Sequence, residues 1–185
     1  MDALTALTTR TSPMKLAGPG PTRAEVERML ETAVRAPDHG KLKPWRFIVI
    51  EGAARERLGA VMAEALRRRE PQAPAAMVDK EREKPLRAPI IIVVAAKLQP
   101  DHPKIPRIEQ IISAGTAAQN IQIAAHAMGF GAMWRTGPSA YDSHVKKALD
   151  LAESDEIVGL LYLGNVEMAG ESRPIRAADY IVDWR

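Results

Sequence analysis

The chain has 185 residues, which is long enough for one domain that buries most of its apolar side chains. Its formal net charge is only +3, from 26 Lys and Arg against 23 Asp and Glu, so it lacks the strong basic excess of a dedicated nucleic-acid binder. It contains no cysteine, which excludes disulfide frameworks and thiolate metal sites. The N-terminal residues contain no apolar run of signal-peptide length, so we expect a cytoplasmic protein.

Apolar spacing and turn residues predict alternating helices and strands in one domain, 1–185, without repeats or a long linker. The first half is predicted to hold a helix at 2–9, a helix at 23–36, a strand at 45–50, and helices at 53–69 and 77–84. The second half is predicted to hold a strand at 89–96, a helix at 107–128, a strand at 131–135, a helix at 142–149 and a strand at 157–163. Because the helix at 77–84 is highly charged, we expect it to present a solvated face.

Local signals mark several of these boundaries. Thr22 followed by Glu25 forms a capping box before the second helix, and Pro37 stops that helix. The run PIIIVVAA at 89–96 is continuously apolar, which predicts a strand covered on both faces.

The longest uncharged run, from Ile111 to Trp134, has the length of a membrane span. It carries polar side chains that a lipid-facing helix would have to satisfy, at Ser113, Thr116, Gln119, Asn120, Gln122 and His126. We therefore predict a buried helix of a protein without a membrane segment. The small residues of this helix would let another element approach closely, so we expect it to be central.

The segment 165–185 is predicted to be a C-terminal tail. It has no helical stripe but ends with the strand-like residues Tyr180-Ile181-Val182. A tail with such an apolar ending needs a surface to cover it, so we expect it to pack against its own sheet edge or against another chain.

Familiar catalytic motifs are missing from the sequence. The stretch MGFGAMW at 128–134 follows a helix and precedes a strand, the reverse of a dinucleotide-binding turn, so Gly129 is interpreted as a helix C-cap. The four histidines are far apart without metal-site spacing, and His126 is interpreted as a satisfied core residue. No serine lies in a nucleophile elbow.

Three separated junctions combine guanidinium groups with hydroxyl, imidazole or backbone donors: Arg10-Thr11-Ser12, Arg35 to Lys43, and Trp134 to Gly137. This is the combination that binds a phosphate monoester. Each junction taken alone is better explained as a C-cap cation or a surface ion pair, and their joint occurrence beside an aromatic residue shifts this balance only modestly. The residues by themselves therefore leave an anionic-cofactor site and ordinary surface charge as open alternatives, and they name no reaction.

Several stretches taken together resemble a known family. TTRTSPMKL, RAPDHGKLKPWRFIVI, RAPIIIVVAAK, SAGTAAQNIQIAAHAMGFGAMWRTG and IVGLLYLG occur in this order over residues 2 to 165. They resemble the nitroreductase family, most closely its small YdjA-type members. The resemblance implies an α+β fold with a mainly antiparallel sheet flanked by helices, and an intertwined homodimer with one FMN in each of two interface sites.

The resemblance also implies which residues contact the flavin. Arg10, Thr11 and Ser12 match residues that hold the FMN phosphate, the ribityl chain and the ring edge, with Thr11 in place of a second Arg often found there. Trp134, Arg135 and Thr136 match the segment along the ring and phosphate of the same flavin. Arg35 and His39 match residues that reach the flavin from the second subunit, and Lys15 lies near a further cation of relatives.

The implied activity is an FMN-dependent oxidoreductase. It takes hydride from NADH or NADPH and then reduces a small-molecule acceptor, a nitroaromatic or quinone-like compound, at the same site in ping-pong order. Because the flavin carries the chemistry, no catalytic side chain is expected. The alternatives are a flavin carrier or sensor without useful turnover, or an anion-binding or nucleic-acid-binding module.

Overall fold

The computed structural model describes residues 1–171 and 175–184. Within these residues the helices are α1 Ala3–Thr9, α2 Arg23–Ala33, α3 Ala54–Arg69, α4 Ala75–Glu83, α5 Arg107–Ala127 and α6 Ser143–Ala148. The strands are β1 Lys15–Ala17, β2 Trp45–Glu51, β3 Ile90–Ala96, β4 Gly131–Arg135 and β5 Glu156–Met168. Short 3-10 turns lie at His39–Lys41, Lys84–Arg87, Pro138–Tyr141 and Ala177–Tyr180.

Every strand pairing in the sheet is antiparallel, with the 13-residue β5 at its centre. The first part of β5 pairs with both β3 and β4, and β2 pairs with the other edge of β3. The end of β5 pairs with β1, placing Lys15 opposite Met168. The α+β fold with a mainly antiparallel sheet is thereby confirmed.

Helices cover both faces of the sheet, as the apolar sequence of β3 predicts. All seven residues of β3 are buried. Its alternate residues Ile90 and Ile92 pack in the cluster that includes α2 and α5 residues, whereas Ile91 and Val93 pack with residues of α3 and α6. Helix α4 packs against α3 through Val78. We call the two sides of the sheet the α5 face and the α3 face.

Some predicted elements differ from the structure. The sequence did not predict β1, which has only three residues and owes its strand geometry to pairing with β5. Strand β5 continues to Met168, so the predicted tail begins after that residue. The strand-like ending at Tyr180 to Val182 does not pair with the sheet of its own chain, because Tyr180 closes a 3-10 turn and residues 181–184 join no strand; its packing against another chain stays a prediction. Local β-propensity forms no strand without a partner edge.

Helix α5 lies against the sheet, and several of its polar side chains have partners within the protein. Gln110 is buried, and its Nε2 donates to the carbonyls of Gln99 at 3.0 Å and Ile105 at 3.1 Å. Within the described ranges, no helix has the length and apolar character that crossing a membrane requires.

Candidate functional site

The junction Arg10 to Ser12 joins α1 to β1 and is fixed from several sides. Thr9 anchors the end of α1 to α5, because its Oγ1 lies 2.9 Å from His126 Nε2. The hydroxyl of Thr9 donates to the Thr5 carbonyl at 2.6 Å, so His126 supplies the proton of the other hydrogen bond. At the end of the junction, Gly170 packs so closely on the Ser12 carbonyl that a Cβ at position 170 would overlap it.

The guanidinium group of Arg10 has one buried nitrogen without a partner among the described residues. Its Nη1 atom is buried and has no hydrogen-bond partner within residues 1–171 and 175–184. A buried donor without an acceptor is costly, and more so when it is charged. This nitrogen is therefore available to an anionic group that is not part of the chain.

The junction from Trp134 to Gly137 begins in the last two residues of β4, where Trp134 and Arg135 point to opposite faces of the sheet. Arg135 shares the α3 face with Met133, whose Sδ lies 3.0 Å from Arg135 Nε. Trp134 packs on the α5 face, and its indole Nε1 donates to the Val158 carbonyl at 3.2 Å. Its backbone, more than its ring, is therefore available to a ligand on the Arg135 side.

Two adjoining cavities open on the α3 face beside the end of β4, and we call them together the Arg135 cavity. They have volumes of about 380 and 390 Å³, and both are lined by Arg87, Met133 and Arg135. The first is also lined by Met62, Lys84, Trp134, Thr136, Gly137, Leu160 and Tyr162. The second is also lined by Met14, Lys15, Leu16 and Leu86. Four cationic side chains thus border one apolar hollow.

Arg10, Thr11 and Ser12 do not line the Arg135 cavity, but they lie immediately before the segment that does. Pro13 contacts the start of β4 near Gly131, and Met14, Lys15 and Leu16 follow in the cavity wall. Residues 134–136 therefore line the Arg135 cavity, and residues 10–12 lie next to it in the chain. Lys15, close behind residues 10–12, also lines the cavity.

Sequence reasoning missed Lys84 and Arg87. The sequence predicts a solvated face for the helix at 77–84, but Glu81 within it is buried and Lys84 at its end lines the cavity. No local signal distinguishes these cations from their neighbours. Their position depends on the packing of α4 and the following turn against α3.

Tyr162 contributes a neutral polar group to the cavity. Burial raises the pKa of its hydroxyl to about 12, although the positive charges of Arg87 and Arg135 oppose this shift and Glu81 adds to it. The phenol therefore stays protonated at neutral pH and can donate a hydrogen bond to a ligand.

Arg35 and His39 lie away from the Arg135 cavity. Arg35 borders a groove of about 960 Å³ between α2 and α5, with Val34, Ile123 and Met128 among its lining residues. His39 Nδ1 lies 2.5 Å from Glu109 Oε2 near the start of α5. Both helices cover the α5 face, so the sheet separates these two residues from Met133 and Arg135. One chain does not bring all eight predicted residues to one ligand.

The interpretation of the stretch 128–134 is confirmed by its geometry. Gly129 has a φ of 87° and its N–H donates to the His126 carbonyl at 3.0 Å, so it ends α5. The prediction that His126 is a core residue is wrong, because it is only half-buried at the surface of α5, where its Nε2 pairs with Thr9 Oγ1.

The chain matches the family model described as "Nitroreductase family" over residues 7–165. The Escherichia coli K12 protein named "Putative NAD(P)H nitroreductase YdjA" is 44% identical over 168 residues, 91% of this chain and 90% of that protein. A crystal structure of a nitroreductase-like family protein from Bacillus cereus has a TM-score of 0.84 at 20% identity, covering 100% of this chain and 96% of that chain. A structure from Desulfovibrio desulfuricans, described as "a putative nitroreductase in complex with fmn", has a TM-score of 0.76 at 21% identity, covering 100% and 98%. The resemblance read from the sequence is confirmed, and the chain belongs to the nitroreductase family.

Proposed function

We propose that this protein is an FMN-dependent oxidoreductase that takes hydride from NADH or NADPH and reduces a nitroaromatic or quinone-like acceptor. The observation that carries the proposal is the buried, unpartnered Nη1 of Arg10, at the position to which the family resemblance assigns the flavin phosphate. The name of the 44% identical E. coli relative supports a nicotinamide donor. The D. desulfuricans structure supports FMN as the cofactor.

The residues present fit this cofactor. Arg10 offers a charged donor without a partner, and Ser12 next to it is exposed and offers a hydroxyl. Such groups suit a phosphate monoester, which presents several anionic oxygens. Thr136 and Arg135 border a hollow with an apolar floor that suits a flat aromatic ring.

When bound, the flavin supplies the two-electron chemistry of hydride acceptance and release. The side chains around the Arg135 cavity would stabilise negative charge on it. Arg135 and Arg87 contribute fixed positive charges, and the neutral Tyr162 hydroxyl contributes a donor that does not ionise at working pH. Because the flavin would carry the chemistry and the side chains would stabilise its charge, the proposal requires no catalytic acid or base from the protein.

We further propose a homodimer in which each flavin site is shared. The observed separation of Arg35 and His39 from Arg135 by the sheet supports this arrangement. Helix α5 also presents Ile108 and Ile112, each 59% exposed, on the surface of the single chain. Large exposed apolar side chains on one helix face are typical of an interface between subunits.

Donor and acceptor would use one open site in turn, which gives ping-pong kinetics. The acceptor is a small molecule, and neither nucleic acid nor membrane is a partner in this proposal. Since the nicotinamide donors are intracellular metabolites, the proposal places the protein in the cytoplasm.

The test is to purify the protein, record its absorption spectrum, and titrate the FMN-free form with FMN. We expect flavin absorption bands or tight FMN binding. We also expect parallel lines in double-reciprocal plots of the initial rate against NAD(P)H concentration, recorded at several concentrations of a nitroaromatic or quinone acceptor. Protein that neither carries nor binds FMN would refute the proposal. Bound FMN without acceptor-dependent turnover would instead identify a flavin carrier or sensor.

A further inference from the structure

A partly buried ion pair joins Lys84, which lines the Arg135 cavity, to Glu81 behind it. Glu81, in the last turn of α4, is only 8% exposed, and its Oε2 pairs with Nζ of Lys84. Its other oxygen, Oε1, accepts a hydrogen bond from Ser139 Oγ at 2.8 Å. Ser139 is itself 2% exposed, in the turn that follows the Trp134 to Thr136 segment.

The two ends of this pair have different surroundings. A carboxylate is costly to bury unless its oxygens are satisfied, and both oxygens of Glu81 have partners. The side chain of Lys84 is 31% exposed and lines the cavity together with Arg135 and Thr136. The ion pair with Glu81 therefore fixes the position of the Lys84 ammonium at the cavity wall. The hydrogen bond from Ser139 in turn fixes the position of the Glu81 carboxylate.

The pair also changes the charge that the cavity presents. In the first of the two adjoining cavities, Lys84, Arg87 and Arg135 would together place three positive charges. Glu81 cancels one of them at close range. Charges within a partly buried site act strongly on a ligand, because the surrounding dielectric screens them less than water does.

We infer that Glu81 is a positioning residue that fixes Lys84 at the Arg135 cavity, offsets its positive charge, and thereby lowers the reduction potential of the bound flavin. This inference rests on the proposed function. The reduced flavin carries more negative charge than the oxidised flavin, so a more positive cavity binds the reduced form more tightly and raises the potential.

The experiment measures the midpoint potential of bound FMN by spectroelectrochemical titration, together with the dissociation constant of oxidised FMN. Glu81→Gln keeps the size of the side chain and an acceptor for Ser139 but removes the negative charge. We expect the affinity for reduced over oxidised FMN to rise about tenfold, which corresponds to an increase of about 30 mV for a two-electron couple. Glu81→Met makes the same change of charge with an apolar side chain and replaces Glu81→Gln if that variant does not fold.

Two further variants identify the source of the effect. Adding Lys84→Met to Glu81→Gln removes the released positive charge, so we expect the potential to return close to the parent value. Glu83→Gln is the matched control, because it makes the same charge change at an exposed position of the same helix. It should leave the potential unchanged.

The outcomes separate this inference from the proposed function. If the parent binds FMN but Glu81→Gln and Glu81→Met shift the potential no more than Glu83→Gln does, the inference is wrong and the proposed function stands. The inference is also wrong if the double variant keeps the full shift, since Lys84 would then not carry the charge. Failure of the parent to bind FMN overturns both.

Discussion

The indole of Trp134 occupies the space that a side chain at position 159 would need. A Cβ added at Gly159 would overlap the ring, closest to Nε1, the atom that donates to the Val158 carbonyl. This hydrogen bond and the core packing fix the ring, so moving it away from position 159 would cost free energy. We expect Gly159→Ala to lower the free energy of unfolding by about 1 to 3 kcal/mol, measured by denaturant titration.

A control and a double variant test the cause of that loss. Gly115→Ala places its new methyl 3.9 Å from Val158 Cγ1, which is ordinary contact, and within α5 it should be neutral or stabilising by up to about 1 kcal/mol. Trp134→Phe shortens the ring and should reduce the cost of Gly159→Ala. If the costs of the two substitutions simply add, overlap with the indole is not the cause.

Arg10 is predicted to recognise the phosphate of FMN. Loss of one charge-assisted hydrogen bond costs about 1.5 to 3 kcal/mol, so Arg10→Ala should weaken FMN binding about tenfold to a hundredfold. Riboflavin lacks the phosphate, so it should bind the parent more weakly than FMN and should be little affected by the substitution. Fluorescence titration of the FMN-free protein with both ligands measures this. Equal affinity of the parent for riboflavin and FMN would contradict the phosphate assignment.

The shared-site proposal predicts complementation between two inactive variants. Arg10→Ala and His39→Ala should each damage both sites of a homodimer. In a mixed dimer one site carries both defects and the other carries neither. Random pairing makes half of the dimers mixed, so refolding the two variants together, with FMN at a concentration that fills the parent sites but leaves the Arg10→Ala sites largely empty, should restore about a quarter of the parent activity.

Differently tagged variants provide the decisive measurement. The heterodimer is purified through both tags and assayed for NAD(P)H oxidation, with each homodimer as a control. Activity above both homodimers supports one sound site built from two chains. If all the groups came from a single chain, no pairing could rebuild a site, and the heterodimer would remain inactive.

The C-terminal tail is predicted to pack across the partner subunit. In the single chain its apolar side chains are exposed, with Val182 at 92% and Trp184 at 100%. A chain that ends at Glu171 keeps the pairing of β5 with β1 but lacks this apolar ending. We expect it to shift from dimer toward monomer or aggregate in sedimentation velocity. A truncated chain that remains a dimer with full flavin content would refute the prediction.

The ionised carboxyl of Asp142 is predicted to stabilise the folded protein, and this stabilisation should be lost at acidic pH. Burial opposes its ionisation, yet hydrogen bonds from Arg69 and from the backbone N–H groups of His144 and Val145 hold its pKa below the ordinary 3.8. The carboxyl is therefore more acidic in the folded chain than in the unfolded chain. The ionised carboxyl therefore adds to the free energy of unfolding. This contribution is complete at pH values above the ordinary pKa of 3.8, and it is lost as the pH falls through the lower pKa of the folded chain.

Asp142→Asn keeps a side chain that can cap α6 but removes the charge that pairs with Arg69. At pH 7 we expect the variant to be less stable than the parent by about 1 to 2 kcal/mol. Urea titrations from pH 7 down to pH 3 should show the two proteins converging below pH 4. A stability difference that stays constant over this range would mean that the Asp142 charge is not its source.

Features that depend on neighbours in sequence could be predicted from the sequence. The capping box of Thr22 and Glu25 is present in the structure, and α2 begins at the next residue, Arg23. The continuous apolar run of β3 is buried on both faces. The cations at Arg10 and Arg135 were recognised as candidates because guanidinium and hydroxyl groups stand together there. Each of these signals acts within a few residues, through backbone geometry or side-chain chemistry.

Only the tertiary structure decided which cations share a site. Lys84 and Arg87 reach the Arg135 cavity because α4 and its following turn pack on α3, which no local pattern states. Strand β1 exists because β5 continues far enough to pair with it, whereas the end of the tail has the higher β-propensity but no partner edge in the single chain. Hydrogen bonding between strands and the closing of a cavity both depend on contacts between distant parts of the chain, and such contacts are determined only when the whole chain packs.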